Sequence, residues 1–320
     1  MPPSILVLGG GPDAERDVSI KSAHFISLAL REAGLVAHNQ TIDRLNIDQL
    51  RALPGEVIFP ALHGGWGEGG PLQDLLEADG RPFVGSMSLA ARHAMDKIAT
   101  KFTARSLDIP TPEVRLLDVR DTVCPLSLPV IIKPVHEGST VGLFVCSTPD
   151  DWARARARID EQRASGVDER VYMIEPCVQR PGGRKARELT VGIIDGRPLP
   201  VIEITPAEGL YDYEAKYTRN DTAYLVEPRL PPGVTERIQR QTVELARTMG
   251  VRHLARADFM LDADNDAPGS ESVTAWFLEI NTLPGFTDHS LVPMAARHAG
   301  VPMPALCKRL VEMAVRDHAA

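Results

Sequence analysis

The sequence predicts an α/β protein, with a parallel sheet near its start and hairpin-connected strands farther along. In the first ninety residues, short apolar runs alternate with helical patterns, from "SILVLGG" to "PLQDLLEADG". Such alternation is typical of βα units and favours parallel strands. Later, the runs "ELTVGII" and "PLPVIEI" flank Asp195 and Gly196, a dipeptide typical of a tight β-hairpin.

The other predicted elements follow from apolar periodicity and from helix stop signals. A helix over residues 19–33 and a strand "VIFPAL" precede a helix that ends at Gly80, a residue typical of helix C-termini. One long helix is expected over residues 86–107, ahead of Pro110. Beyond it we expect the strands "LPVIIKP", "TVGLFVC" and "VYMIEP", helices over residues 149–163 and 234–249, the strands "LARADFML" and "VTAWFLEI", and two short closing helices.

The composition limits the possible classes of protein. A chain of 320 residues can form two or three domains. Its net charge of −8 argues against a nucleic-acid or acidic-membrane partner. The four cysteines are scattered without metal-ligand spacing. No apolar stretch reaches the ~20 residues of a membrane helix, and the first residues do not resemble a signal peptide. We therefore expect a cytoplasmic protein with reduced thiols.

Two late strands carry the clearest chemical signal. Arg256 and Asp258 lie two apart in one strand, and Glu279 and Asn281 lie two apart at the end of the next. Side chains alternate along a strand, so each pair shares a face, and pairing of the strands would bring all four together. Three oxygen ligands beside a cation suit a hard divalent metal such as Mg²⁺. The alternative is a pair of strand ends that carry solvated charges.

Lysines and a glycine loop indicate a phosphate site. Lys133 ends an apolar strand, where a structural lysine is unusual, and the loop "HEGSTVG" follows with backbone N–H groups that could cover phosphates. Lys97 lies in a predicted helix, and its alternative is an ordinary surface lysine. No Walker loop occurs, and "GGGPDAE" is a weak dinucleotide signal because Pro12 interrupts it.

Taken in order, these motifs resemble the D-alanine–D-alanine ligases of the ATP-grasp superfamily. The resemblance rests on Lys133 with "EGSTVG", then "YDYEAKY", "ARADFML" and "LEINTLPGFTDHSLVPMAA", and on the earlier "GGPDAERDVS" and "HGGWGEGGPLQDLLE". It covers nearly the whole chain. It implies a three-domain ATP-grasp fold, with ATP bound between the central and C-terminal domains. The implied domains are an N-terminal parallel-sheet domain over 1–90, a central domain over 91–180 and a catalytic C-terminal domain over 181–320.

The resemblance also implies a reaction. Such ligases join two D-alanine molecules through a D-alanyl phosphate, with ADP and phosphate as the other products, for peptidoglycan synthesis. They are usually dimers through the first domain, so a homodimer is expected. One alternative is a related ligase with D-lactate or another amino acid as second substrate; Tyr217 favours attack by an amine. Another is a nucleotide-binding regulator without catalysis, against which the presence of Arg256 argues.

Roles for individual residues follow from the same resemblance. Arg256 would stabilise the transferring phosphoryl group and the developing oxyanion. Two Mg²⁺ ions, or Mn²⁺, would bind Asp258, Glu279 and Asn281. The implied ATP contacts are Lys97, Lys133, Lys216, the main chain from Glu175 to Val178 at the adenine, and Glu188 at the ribose. The adenine and ribose positions have the alternative of ordinary strand ends.

On the substrate side, Glu15 would pair with the ammonium group of the first D-alanine. Ser139 and Tyr217 would link the central loop to Glu15, and Gly285 would donate a backbone N–H to the oxyanion. The remaining implied substrate contacts are His63, Ser290 and the backbone at Leu291. For His63 the alternative is a packed histidine at a strand end.

Two positions depart from the family pattern. Gly69 stands where an acidic residue usually follows the "GE" of the second signature, which puts the contacts near His63 in doubt. Pro176 stands where a lysine commonly follows the glutamate of the adenine strand. Proline keeps its carbonyl acceptor but lacks the amide donor and the lysine charge.

Overall fold

The first sheet of the computed structural model is parallel, as predicted. The structure describes residues 2–138, 142–166, 170–206, 222–264 and 273–319. Strand β1 lies between β2 and β3 and runs parallel to both. The elements of this part are β1 (Ile5–Gly10), α1 (Arg16–Glu32), β2 (Ala37–Ile42), α2 (Ile47–Arg51), β3 (Val57–Pro60), α3 (Gly64–Glu68) and α4 (Pro71–Asp79).

The single helix expected over residues 86–107 is wrong, because two helices occupy this stretch. They are α5 (Ser88–Met95) and α6 (Lys97–Ser106), separated at Asp96. Asp96 leaves helical geometry, with ψ of 100°, and its side chain accepts hydrogen bonds from the N–H groups of Ile98 and Ala99. An aspartate in this position caps a new helix rather than continuing the old one. The break makes Lys97 the first residue of α6.

A four-stranded antiparallel sheet follows, in the order β4-β7-β5-β6. A small hairpin, β8 with β9, comes directly after it. Strand β6 is shorter than the predicted "TVGLFVC", and Val141 lies outside the described residues. The elements are β4 (Arg115–Leu116), β5 (Val130–Pro134), β6 (Phe144–Cys146), α7 (Pro149–Ala164), β7 (Tyr172–Pro176), β8 (Gln179–Arg180) and β9 (Arg184–Lys185).

The last sheet has the order β13-β12-β10-β14-β15, with β11 paired to β10. The hairpin predicted at Asp195 and Gly196 is confirmed: Ile194 pairs with Arg197, and both turn residues have positive φ, 54° and 68°. The elements are β10 (Arg187–Ile194), β11 (Arg197–Pro198), β12 (Ile202–Thr205), β13 (Ala223–Val226), α8 (Val234–Thr248), β14 (Leu254–Leu261) and β15 (Ala275–Asn281).

The end of the chain packs back onto its beginning. Helix α9 (Leu291–His298) is short, as expected, whereas α10 (Met303–His318) has 16 residues and is not. Buried Leu306 and Leu310 of α10 belong to the same apolar cluster as Ile5 and Leu30 of the first sheet and its helix. The last and first parts of the chain therefore share one core.

The three large sheets lie within residues 5–60, 115–176 and 187–281. The domain boundaries near residues 90 and 180 stay a prediction. Within the described ranges, no helix combines the length and the apolar character needed to cross a membrane.

Candidate active site

The pairing of β14 with β15 brings together the four residues singled out in these strands. In this antiparallel pair, Arg256 lies opposite Asn281, and Asp258 lies opposite Glu279. Asn281 is the last residue of β15 rather than the first one beyond it. Two carboxylates, an amide and a guanidinium thus occupy adjacent positions on the paired strands β14 and β15.

The Asp258 carboxylate is held from two sides. The Arg256 guanidinium donates from Nε to Oδ1 at 3.0 Å and from Nη2 to Oδ2 at 2.9 Å. The hydroxyl of Thr190, on the neighbouring strand β10, donates to Oδ1 at 2.6 Å. Thr190 was not recognised in the sequence, because its role depends on the β10–β14 pairing rather than on local spacing. These bonds fix the carboxylate in one orientation.

Lys97 connects this hairpin to the glycine loop. As the first residue of α6, it places Nζ 3.3 Å from Oε2 of Glu279. The same ammonium group donates to the backbone carbonyl of Glu137. Lys97 is buried, which disagrees with an ordinary surface lysine. The end of β15 and the loop after β5 therefore meet at one cation.

Lys133 faces the strand predicted to bind adenine. Its Nζ lies 2.6 Å from Oε1 of Glu175, and both side chains are buried. Burial alone would raise the pKa of Glu175, but Lys133 and Lys101 outweigh that effect and lower it. Glu175 is thus an ionised carboxylate that turns its side chain to the lysines. Val178 follows in the stretch between β7 and β8, and Glu188 lies on β10.

Two buried carboxylates lie beside the glycine loop. A methyl group built on Gly138 would lie 3.1 Å from Oε2 of Glu15 and 3.9 Å from Oε1 of Glu68, so the backbone of the glycine loop lies close against Glu15 at this position. Burial, with Glu15 next in effect, raises the pKa of Glu68 to about 8. Its Oε1 accepts a hydrogen bond from the Gly64 N–H at 3.1 Å. Glu68 was not predicted as a site residue, although it lies in the quoted "HGGWGEGG".

His63 is a neutral, doubly hydrogen-bonded histidine. Its Nδ1 lies 3.1 Å from the carbonyl of Leu283, which can only accept, so Nδ1 carries the proton. Nε2 then accepts from the Ser22 hydroxyl at 3.3 Å. Burial lowers the pKa of His63, in agreement with the neutral form. These contacts join the start of α3 to α1 and to the segment that follows β15.

The start of α9 offers backbone donors next to small side chains. Ser290 precedes the helix, and its hydroxyl accepts from the Thr287 N–H at 2.9 Å. A methyl group on Gly285 would lie 3.0 Å from the Ser290 hydroxyl. Leu291 is the first helical residue, so its N–H is among those without a helical partner. Helix N-termini of this kind favour a carboxylate or phosphate.

An open cavity lies between the end of β15, the start of α6 and the glycine loop. It measures about 350 Å³ with its solvent-open region included. Its lining residues are Glu68, Ala94, Met95, Lys97, Glu137, Gly138, Glu279, Ile280, Asn281 and Thr282. Ser139, Lys216 and Tyr217, all predicted to belong to the site, lie outside the described residues.

The donor set fits a hard cation that shares its ligands with a phosphate. The carboxylates of Asp258 and Glu279 and the amide of Asn281 would offer oxygen ligands, which suit a hard cation. In the described ranges, no group of three His, Cys, Asp or Glu side chains forms a metal cage. An ion held here would therefore complete its coordination with water and phosphate oxygens, as Mg²⁺ usually does.

Gly69 is explained by its backbone. It ends α3, and a methyl group built on it would lie 2.4 Å from the carbonyl oxygen of Gly65. An acidic residue here would require a different end of the helix. This departure therefore shapes the turn between α3 and α4, not the contacts of His63 given above.

Comparison with known proteins decides the family. The family model described as the D-Ala–D-Ala ligase C-terminus matches residues 113–312. The chain belongs to the D-alanine–D-alanine ligase family. A D-alanine–D-alanine ligase of Dechloromonas aromatica is 38% identical over 318 residues, covering 98% of each chain. One of Bordetella avium is 41% identical over 309 residues, covering 94% of this chain and 91% of the relative.

Solved structures of the D-alanine–D-alanine ligase family agree with this membership. The ligase of Bacillus anthracis complexed with ATP matches with a TM-score of 0.75 and 27% identity, over 99% of this chain and 98% of that one. Another structure of the same ligase gives a TM-score of 0.76. The family resemblance and the ATP-grasp fold class predicted from the sequence are both confirmed.

Proposed function

We propose that this chain joins two D-alanine molecules in an ATP-dependent reaction, giving D-alanyl-D-alanine, ADP and phosphate for peptidoglycan synthesis. The observation that carries the proposal is the meeting of Arg256, Asp258, Glu279 and Asn281 on β14 and β15 with Lys97 of α6. A protein that only binds nucleotide would have little use for an arginine beside these oxygen ligands. Membership of the ligase family supports the same reaction.

The first D-alanine would bind near the buried carboxylates. Its ammonium group would pair with Glu15, a buried carboxylate that lies close to Gly138 of the glycine loop. Its own carboxylate would point towards Arg256. A guanidinium can hold carboxylate and phosphoryl oxygens at the same time through its several N–H donors. This arrangement would align the carboxylate oxygen with the terminal phosphorus of ATP.

Phosphoryl transfer activates a poor electrophile. A carboxylate oxygen attacks the γ-phosphorus, the bond to ADP breaks, and a D-alanyl phosphate results. Lys97, Lys133 and Lys216 would hold the phosphates, and Arg256 would stabilise the charge on the transferring group. Mg²⁺ at Asp258, Glu279 and Asn281 would neutralise phosphate charge and orient the oxygens.

The second D-alanine completes the reaction. Its deprotonated amine attacks the acyl carbon, and phosphate leaves as the peptide bond forms. Ser290 and the Leu291 N–H would receive its carboxylate at the start of α9, and the Gly285 N–H would stabilise the oxyanion. Ser139 and Tyr217 would close the central loop over Glu15, which would keep water from the acyl phosphate.

Adenine and ribose would bind near the end of β7 and the start of β10. We assign the main chain from Glu175 to Val178 to the adenine and Glu188 to the ribose hydroxyls. Pro176 keeps the carbonyl acceptor there.

Phosphate release tests the proposal. The chain is incubated with ATP and Mg²⁺, and with D-alanine, D-lactate, both together or neither, near neutral pH. We expect release with D-alanine alone and a product with the mass of the dipeptide. The proposal would be contradicted if an ester with D-lactate were the main product, or if phosphate were released at the same rate with and without D-alanine.

We also propose a cytoplasmic homodimer that associates through the first domain. Family membership supports the dimer. Sedimentation equilibrium at several protein concentrations tests it, and a monomer at every concentration would refute it.

A further inference from the structure

Lys101 is a buried lysine that none of the proposed steps uses. It lies on α6 one turn after Lys97, and its side chain is 0% exposed. Its Nζ lies 2.8 Å from Oε2 of Glu175 and donates to the Thr111 hydroxyl at 2.8 Å. Lysine is almost never fully buried unless it is paired. These contacts therefore give Lys101 a specific position rather than a place in an apolar core.

The contacts of Lys101 reach two sheets. Glu175 belongs to β7, the strand assigned to adenine. On the other side, the Thr111 hydroxyl donates to the carbonyl of Phe277 at 2.8 Å, and Phe277 lies on β15. The Phe277 N–H in turn donates to the carbonyl of Pro110 at 2.8 Å. Lys101 thus connects the adenine strand, through Thr111, to the strand that carries Glu279.

The charge of this cluster depends on Lys101. Glu175 is one carboxylate between two cations, with Lys133 at 2.6 Å and Lys101 at 2.8 Å. Burial lowers the pKa of Lys101, Glu175 opposes this effect, and Lys133 and Arg105 add to it, so that the pKa is lowered to about 8 in all. Lys101 is therefore still mainly protonated at pH 7. The three groups then carry one net positive charge, whereas Lys133 and Glu175 alone would carry none.

We propose that Lys101 is a positioning residue for the nucleotide: it fixes the Glu175 carboxylate and leaves Lys133 with the net positive charge that a phosphate needs. The proposal rests on the proposed function, because Lys133 is taken as a phosphate ligand. Without Lys101, the buried Glu175 would have Lys133 as its cation, and the attraction of that pair for phosphate would fall.

A charge-restoring pair of variants tests the proposal. Lys101→Met removes one cation, and Lys101→Met with Glu175→Gln restores the net charge of one. Lys308→Met is the matched control, since Lys308 is half exposed on α10 and pairs only weakly with Glu312. Affinity for a non-hydrolysable ATP analogue is measured by titration calorimetry at pH 7, and circular dichroism checks that each variant folds.

We expect Lys101→Met to weaken nucleotide binding roughly tenfold, the effect of one unit charge at about 12 Å with an effective dielectric constant of about 20. The double variant should regain most of that affinity, and Lys308→Met should bind as the wild type does. A purely structural lysine would give the opposite order, because the double variant loses two buried groups. If Lys101→Met alone fails to fold, the double variant still decides: affinity within threefold of wild type supports the proposal, and a larger loss overturns it.

The pH dependence gives a second test. The charged groups around Lys101 are Glu175 on β7, Lys133 on β5 and Arg105 on α6 itself. In the wild type, affinity for the analogue should fall as the pH passes about 8, because Lys101 loses its proton. The double variant should lack this fall. An equal fall in both proteins would overturn the proposal.

Wild-type activity separates this proposal from the proposed function. If the wild type binds nucleotide but forms no dipeptide, the proposed function is wrong. The calorimetric comparison of the variants still tests whether Lys101 supports nucleotide binding. If the wild type is an active ligase and Lys101→Met binds nucleotide normally, only the proposal about Lys101 fails.

Discussion

Arg256 lies where charge would develop in the reaction, close against a carboxylate that belongs to the proposed metal site. Its Nη2 is 2.9 Å from Oδ2 of Asp258. We expect Arg256→Ala to lower kcat ~100-fold or more, as losses of donors aimed at developing charge do, while ATP affinity changes less. Steady-state and binding measurements on the same preparation check this.

Arg309→Ala is the control for that prediction, since Arg309 also pairs with an aspartate, Asp195 at 3.1 Å, but lies on α10. It should retain wild-type turnover. A kcat for Arg256→Ala within a few-fold of wild type would show that the assignment is wrong.

Glu68 should make stability depend on pH. The folded protein holds its proton up to a pKa of about 8, whereas the ordinary value is 4.5. Between these values the folded state binds more protons than the unfolded chain, so the free energy of unfolding falls as pH rises through this window. Glu68→Gln removes the cost of ionising a buried carboxylate. Its unfolding temperature should exceed that of the wild type by more at pH 9 than at pH 5.

Glu113 is exposed and provides the control for this measurement. The unfolding temperature of Glu113→Gln should differ from that of the wild type by the same small amount at pH 5 and at pH 9. If the unfolding temperature of Glu68→Gln also differed from that of the wild type by the same amount at both pH values, Glu68 would be ionised in the folded protein well below pH 8.

At the scale of helices and strands, the Asp96 cap positions a site residue. The Asp96 side chain accepts hydrogen bonds from the N–H groups of Ile98 at 2.9 Å and Ala99 at 3.0 Å. Lys97 directly follows Asp96 and is the first residue of α6. Asp96→Ala should cost ~1 kcal/mol of stability, as the loss of a helix cap typically does. It should also weaken ATP binding, because Lys97 is the first residue of the helix that loses its cap.

Thr148→Ala is the matched control, since Thr148 caps α7 with a hydrogen bond from the Asp151 N–H. Urea denaturation should show comparable losses for the two variants, and calorimetry should show weaker nucleotide binding for Asp96→Ala alone. If both variants bound nucleotide equally well, the Asp96 cap would have no effect on nucleotide binding and the prediction would be wrong.

Apolar pattern and turn chemistry made much of the fold predictable. The hairpin at Asp195 and Gly196 is local, and so is the alternation that indicated a parallel first sheet. Strand β2, "AHNQTI", gave no such signal, because it is an edge strand with four exposed polar residues between two buried ends. The break at Asp96 was missed because apolar periodicity continues across it.

Sequence separation limited the prediction of the site. Arg256 and Asp258, like Glu279 and Asn281, are neighbours in one strand, so alternation alone placed each pair on a face. Lys101 and Glu175 belong to different elements far apart in the chain, and only the tertiary fold places the Lys101 ammonium group beside the Glu175 carboxylate. The spacing of Lys101 one turn after Lys97 was the available signal, and it was also consistent with a surface lysine.

At the scale of the whole molecule, the shared core of α10 and the first sheet should make the chain ends interdependent. Leu310 is fully buried in that core. Leu310→Ala should lower the free energy of unfolding by ~2–5 kcal/mol, the usual range for truncating a buried leucine. Leu89, 80% exposed, is the control, and Leu89→Ala should change little. Equal denaturation midpoints for the two variants would contradict the shared core.

The most direct test of the site is a crystal structure with an ATP analogue and Mn²⁺, read by anomalous scattering. We expect metal peaks within coordination distance of Asp258, Glu279 and Asn281, with the triphosphate between them and Lys97 and Lys133. Peaks elsewhere, or a triphosphate bound away from β14 and β15, would contradict the assignment of the reaction to this hairpin.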